Sequence, residues 1–347
     1  MTSWAIWALP VLWQTTLLAL VVLVIDLLLR RVVWPQLLHA LWMLVPLRVF
    51  LPPTVTSPIA LAPEAAAFAP RVDPAPWFLA WIAGVALFGL LALRAHRRAR
   101  RRLEDGAIAV DVGQRAVAAR LGLRRRVLVL RGRHAGSPVV YGLLRPRVVL
   151  PRDLDDPREI EHVLLHEYAH VRRRDLWMQT LFGLANLLCW FHPLVYVARR
   201  RAAALREVCC DARVASVLRE ETPAYRATLL RIAENLLAPP QPGLAGFLGG
   251  PAHILARLRW LERGEWTLSR RKRVATACAV FVLAVTLVPH AQASVIDPAL
   301  RGLRAERAAA EARLQHVIDN PHSTGCFELK WSVLRWMELE NKVKESK

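Results

Sequence analysis

Four apolar stretches, Trp4 to Leu29, Val32 to Leu51, Trp77 to Ala95 and Val274 to Ala293, are each long enough to cross the hydrocarbon core of a bilayer as a helix. A chain built around them must bury or lipidate them, and the composition points to lipid. Apolar residues make up 54% of the 347, the mean hydropathy is +0.26, and thirteen Trp suit the membrane interface. The first stretch is not read as a cleaved signal: it lacks a basic start, it is long, and a second apolar stretch follows at once. Between the third and fourth stretches lies a segment from about Leu103 to Ser269, long enough for one domain with its own core.

The formal charge of +20 is spread unevenly. Arg30 and Arg31 lie between the first two stretches, Arg94 to Arg102 follow the third and Arg270 to Arg273 precede the fourth, whereas Pro52 to Pro76 carries Arg71 against Glu64 and Asp73. By the positive-inside rule the arginine clusters are cytoplasmic, so both termini and the 52–76 loop are expected outside and the 103–273 domain in the cytosol. Juxtamembrane clusters of this kind are explained by topology and anionic headgroups, and no nucleic-acid-binding motif accompanies them; no direct nucleic-acid contact is expected.

Within that domain, His166-Glu167-Tyr168-Ala169-His170 forms an H-E-x-x-H motif. On a helix the two imidazoles stack on one face and can share a zinc ion, and the Glu between them can act as a general base. Asp155, Asp156 and Pro157 give a helix start, and apolar residues around the motif give it an inward face. A third ligand is expected from Glu207 on a second helical run, Arg199 to Leu218; Asp211, one turn on, is placed to accept the free ring N–H of a ligating His. The alternative is a surface helix with scattered acids. Cys210 shares the face of Glu207 and could compete for the metal, although a small buried residue is the plainer reading. The oxyanion-stabilising group is not assigned: Tyr225, Arg226 and His192 are candidates.

A further apolar run, Trp177 to Val197, cannot be a simple span, because Glu207 would then lie across the membrane from His166 and His170. His192-Pro193 breaks it, giving a hairpin that dips into the membrane or an ordinary buried helix pair. Upstream, a helix around Gly113 to Leu123, a strand at Val127 to Leu130 and a strand or hairpin at Val139 to Leu150 are expected, the last able to receive an extended peptide or serve as a plain structural strand. Helix continues after Asp211 to about Leu237; Ala238 to Pro251 is a Pro/Gly-rich loop, and His253 to Arg263 reads as a basic amphipathic helix resting on the membrane through Trp260 and Trp266. The five cysteines are split among compartments and form no disulfide framework; Cys326 alone falls outside.

Several pieces stand together: Gly136-Ser137-Pro138, Tyr141-Gly142, Arg145-Pro146-Arg147-Val148-Val149-Leu150-Pro151, Leu165-His166-Glu167-Tyr168-Ala169-His170, Phe191-His192-Pro193-Leu194 and Arg206-Glu207-Val208-Cys209-Cys210-Asp211. In combination, over about residues 1–290, they resemble the BlaR/MecR-type membrane metallopeptidases. The resemblance implies an α-helical membrane protein of the bacterial cytoplasmic membrane, with four spans and an inserted, mainly helical α+β gluzincin domain. It implies Zn2+ held by His166, His170 and Glu207, with Glu167 catalytic, and cleavage of a cytosolic winged-helix repressor. Antibiotic-sensing members continue into a large penicillin-binding sensor, whereas Ser294 to Lys347 here is short and lacks an S-x-x-K serine. That tail reads as two helices, Asp297 to Ile318 and Phe327 to Val343, able to lie on the outer membrane face, pair with another copy or meet a partner sensor. A membrane quality-control protease and a non-catalytic signalling scaffold are the competing readings; the intact motif and Glu207 argue against the scaffold.

Overall fold

The computed structural model describes residues 2–30, 33–51, 56–57, 75–237, 251–262, 269–287, 290–291, 306, 309–311 and 337–338. The described elements are mainly helical: α1 (Thr2–Leu29), α2 (Pro35–Phe50), α3 (Ala75–Glu104), α4 (Gln114–Arg120), α5 (Pro157–Arg173), α6 (Asp175–Leu188), α7 (Pro193–Leu218), α8 (Thr222–Leu237), α9 (Pro251–Glu262) and α10 (Arg270–Leu287). Six short strands accompany them: β1 (Thr56–Ser57), β2 (Ile108–Ala109), β3 (Leu128–Gly132), β4 (Val139–Tyr141), β5 (Arg147–Pro151) and β6 (His290–Ala291). The chain divides into two units, residues 1–55 with 69–289, and residues 56–68 with 290–347. In the second, β1 pairs in parallel with β6. The two tail helices and Cys326 expected there fall almost wholly outside the described residues.

In the first unit the four expected spans do not come out alike. Among the described residues, the helices with the length and hydropathy to cross a membrane lie within Val11–Leu29 and Ala75–Glu104. The second stretch forms α2, whose 16 residues reach roughly 24 Å, short of a hydrocarbon core of about 30 Å. Of the fourth, Val274 to Leu287 lies in α10, directly behind Arg270, Arg271, Lys272 and Arg273, and its last residues fall largely outside the described ones. By contrast α3 has no buried residue: Trp77, Leu79, Ile82, Leu87, Leu90 and Leu91 are all exposed. An apolar face of that size marks a surface for lipid or for a partner, and the length and hydropathy of α3 are those of a membrane span.

Two cores meet along α7. One gathers Leu18 and Val22 of α1, Leu41, Trp42 and Val45 of α2, Phe182 of α6, and Ala198 and Ala202 of α7. The other joins Val129, Val148 and Leu150 of the sheet with Leu164, Leu165 and Tyr168 of α5 and with Cys210, Val214 and Leu218 of α7. The hairpin α6–α7 breaks at Cys189–His192, with Pro193 opening α7 where its missing N–H costs nothing. Between the cores, buried Asp26 of α1 accepts from Arg201 of α7 at 2.8 and 3.0 Å and from the Trp42 indole at 3.0 Å. Gly84 of α3 lies against Trp190, where a Cβ would overlap the ring, and Trp81 donates to the Leu188 carbonyl at 2.8 Å.

The sheet runs β2-β3-β5-β4, with β3 and β5 parallel and the outer pairs antiparallel. Val139 to Leu150 is thus a hairpin, turned at Gly142 with φ +91, where a Cβ would strike the Arg145 carbonyl. The helical run beyond Asp211 is not continuous: it stops at Leu218, turns through Arg219 at φ 51 and resumes as α8. Helix α9 turns part of its apolar face into the domain. Leu258 and Leu261 are buried in the domain, Trp260 packs edge-on against Trp34 at 6.3 Å, and Trp266 lies outside the described residues. An apolar helix face is satisfied equally by lipid and by a protein core; Leu258 and Leu261 go to the core, while Leu255 is exposed.

Candidate metal centre

Helix α5 begins on Asp156, whose carboxylate accepts the Arg158 N–H at 2.9 Å, with Pro157 in the first turn. Its apolar stripe enters the second core, which leaves His166 and His170, four residues apart, stacked edge to face with ring centroids 4.9 Å apart. Glu207 of α7 reaches the pair from the neighbouring helix. Its Oε2 lies 3.3 Å from His166 Nε2 and 3.7 Å from His170 Nε2, while Oε1 is held by Arg206 at 3.1 Å. These donors could hold a metal ion. Two imidazole nitrogens and one carboxylate oxygen suit zinc, and bonds of about 2.0–2.1 Å around a tetrahedral ion separate neighbouring donors by about 3.3 Å. The set fits.

Each imidazole is held from behind. His166 Nδ1 lies 3.1 Å from Asp211 Oδ1 and 3.0 Å from the Tyr225 hydroxyl, which itself donates to Asp211 at 2.7 Å. His170 Nδ1 lies 2.8 Å from Asp175 Oδ2. A proton placed on each Nδ1 has an acceptor, so each Nε2 keeps its lone pair toward Glu207. Asp175 gets there because Arg174 adopts the left-handed conformation, φ 61, capping α5 and starting α6 in one step. Glu167, buried between the two histidines on α5, has no hydrogen-bond or ion-pair partner among the described residues.

Arg257 of α9 closes the group. It donates to Asp211 through Nε at 2.7 Å and Nη2 at 2.8 Å, and its Nη2 lies 3.5 Å from His166 Nε2 and its Nη1 4.0 Å from Glu207 Oε2. Burial alone would push the Asp211 carboxyl up, but the Arg257 guanidinium outweighs it and holds the group below the usual carboxylate range. Cys210 sits behind His170, its sulfur 3.2 Å from Nδ1 and 3.3 Å from Asp175, and burial pushes its thiol up to about 11. His170, Asp175 and Cys210 form a second group of potential donors, all buried. A thiol at about 11 stays protonated, and it serves there as a hydrogen-bond donor to Asp175.

The three candidates for the oxyanion group are occupied elsewhere. The Tyr225 hydroxyl is spent on Asp211 and His166, Arg226 pairs with Glu262, and His192 lies 2.8 Å from Thr16 of α1. Asp175 and Arg257 escape the sequence reading for different reasons. Asp175 stands five residues beyond His170, a spacing that no straight helix brings back to it and that the Arg174 turn does. Arg257 is 46 residues from Asp211 and gives no local signal.

Residues 75–261, more than half of the chain, match the family described as BlaR1 peptidase M56. The chain is 32% identical over 96 residues to the regulatory protein BlaR1 of Bacillus licheniformis, over 27% of this chain and 16% of that protein. It is 28% identical over 112 residues to the methicillin resistance mecR1 protein of Staphylococcus aureus, over 31% of this chain and 19% of that protein. The regulatory protein BlaR1 of Staphylococcus aureus is 23% identical over 92 residues. The chain thus spans less than a fifth of the length of these relatives.

Proposed function

The chain belongs to the BlaR1 peptidase M56 family, a family of metallopeptidases, and from that premise we propose that it is a membrane-embedded, zinc-dependent endopeptidase of signal transduction. The observation that carries this reading is the convergence of His166 Nε2, His170 Nε2 and Glu207 Oε2 beside a buried, unpartnered Glu167. His166, His170 and Glu207 would hold the zinc, which when bound supplies the Lewis acidity that polarises a scissile carbonyl. Glu167 takes the proton of the attacking water and passes it to the leaving nitrogen. Asp211 with Tyr225 fixes the ring of His166, and Asp175 that of His170. Arg257 bonds Asp211 through Nε and Nη2 and keeps Nη1 outside those bonds, 4.0 Å from Glu207 Oε2, and it is the residue we assign to the developing negative charge on the substrate.

In this proposal α2 and α10 join α1 and α3 as the remaining membrane helices, the hairpin α6–α7 sits against them, and the metal centre faces the cytosol of a bacterial cell. The substrate is then a cytosolic protein, and the relatives' names, regulatory and resistance proteins, favour a transcriptional repressor over general degradation. The decisive experiment uses purified full-length protein. Glu167→Gln should keep one zinc per chain while proteolysis falls roughly a hundredfold or more. Glu207→Ala should lose the zinc. Full activity in the first variant, or unchanged zinc in the second, refutes the assignment. Co-expression with a repressor encoded beside the gene then tests the substrate, whose cleavage must depend on Glu167.

A further inference from the structure

A cavity of about 450 Å³ opens directly beside the metal centre, with His170 in its wall. That volume lies within the range of ligand pockets, roughly 300–1,000 Å³. Its lining is unusual in charge. Arg125, Arg172 and Arg174 surround it, Leu143 and Trp177 supply apolar walls, and no carboxylate is among its lining residues. Arg172 is committed to the Gly122 carbonyl at 2.8 Å. Arg125 and Arg174, among the described residues, have no ion-pair partner. Arg174 is also the residue whose left-handed backbone turns α5 into α6, so the turn that brings Asp175 to His170 also places Arg174 at the rim of the cavity.

The neighbouring strand sets an approach to this cavity. β4 is the terminal strand of the sheet, and it ends at Tyr141, two residues before Leu143. An extended segment paired to its outer edge would continue past Leu143 toward the arginines. Unpaired guanidiniums over apolar walls recognise a carboxylate whose neighbours are aliphatic or aromatic.

We propose that this cavity is a substrate subsite selecting a peptide segment that carries an acidic side chain beside an apolar one, within a few residues of the bond to be cut. The proposal rests on the peptidase reading above, and its test is separable from it. Full-length Glu167→Gln protein in neutral phosphatidylcholine nanodiscs would be titrated, by fluorescence anisotropy, with labelled decapeptides of Ala and Leu carrying one Glu, Gln or Lys. The Glu peptide should bind about tenfold or more tighter than the Lys peptide. That preference should vanish or invert when Arg125→Glu and Arg174→Gly are added, since glycine keeps the positive φ of the turn and removes the guanidinium. Far-ultraviolet dichroism and zinc content, unchanged, show that the fold survives.

Equal affinities, no binding of any peptide, or a preference that survives the substitutions overturns the proposal. So does a result in which the substitutions weaken retention on phosphatidylglycerol vesicles and leave peptide binding untouched, for the cavity then takes lipid headgroups. Wild-type cleavage of the same peptides separates the two levels. Glu167-dependent cleavage without charge preference removes the subsite and keeps the peptidase; charge-selective binding without cleavage does the reverse.

Discussion

At the scale of single residues, the Asp211–Arg257 pair joins the chemistry of the site to its stability. A carboxylate with no exposed surface is costly unless paired, and Arg257 lies against both of its oxygens while His166 and Tyr225 take up Oδ1. Asp211→Ala should therefore act twice. Zinc affinity, measured against a chromophoric chelator, should fall roughly ten- to a hundredfold through loss of the acceptor behind His166. Stability should fall by roughly 3–5 kcal/mol because Arg257 is left without its partner. Adding Arg257→Met should recover part of the detergent melting temperature and none of the zinc affinity; recovery of both would mean that Asp211 acts through Arg257 alone. Much of this centre is legible in the sequence, because His166, Glu167 and His170, like Glu207 and Asp211, stand at helical spacing, where three- and four-residue intervals imply a shared face. Asp175 and Arg257 are not legible. One depends on a single left-handed residue and the other on how two distant helices pack.

Among elements, the close approach of α3 to the α6–α7 hairpin turns on Gly84. A Cβ there would overlap the Trp190 ring, which also stacks on Phe88 at 5.3 Å. Gly84→Leu should lower the melting temperature by several degrees through overpacking of about 1–3 kcal/mol. Gly183→Ala, with nothing within 4 Å of the added carbon, should raise it slightly, since Ala is favoured over Gly in a helix interior by about 0.5–1 kcal/mol. Equal effects would mean that helix propensity rather than contact governs both sites. The break at His192-Pro193 and the hairpin of β4 and β5 can be read from proline and glycine, whose backbone limits are local. The place of α9 cannot: an apolar face flanked by arginines looks the same whether lipid or protein will cover it.

For the molecule as a whole, the arginine clusters make orientation testable in cells. In a background without native cysteines, a cysteine at Arg152 should resist a membrane-impermeant thiol reagent until the cells are opened, whereas one at Ala65 should react at once. Labelling of the Arg152 position from outside would turn the metal centre away from any cytosolic repressor.

Helix α7 is an uninterrupted rod of 26 residues, roughly 39 Å long. Arg201, gripped by Asp26 of α1, and Glu207 lie on it six residues apart, which is roughly 9 Å along the axis. A helix resists compression over so short a length, so the two side chains move as parts of one lever. Any sliding of α1 beyond what a side chain can absorb must tear Arg201 from Asp26, drag Glu207 off the histidines, or carry α5 along with α7.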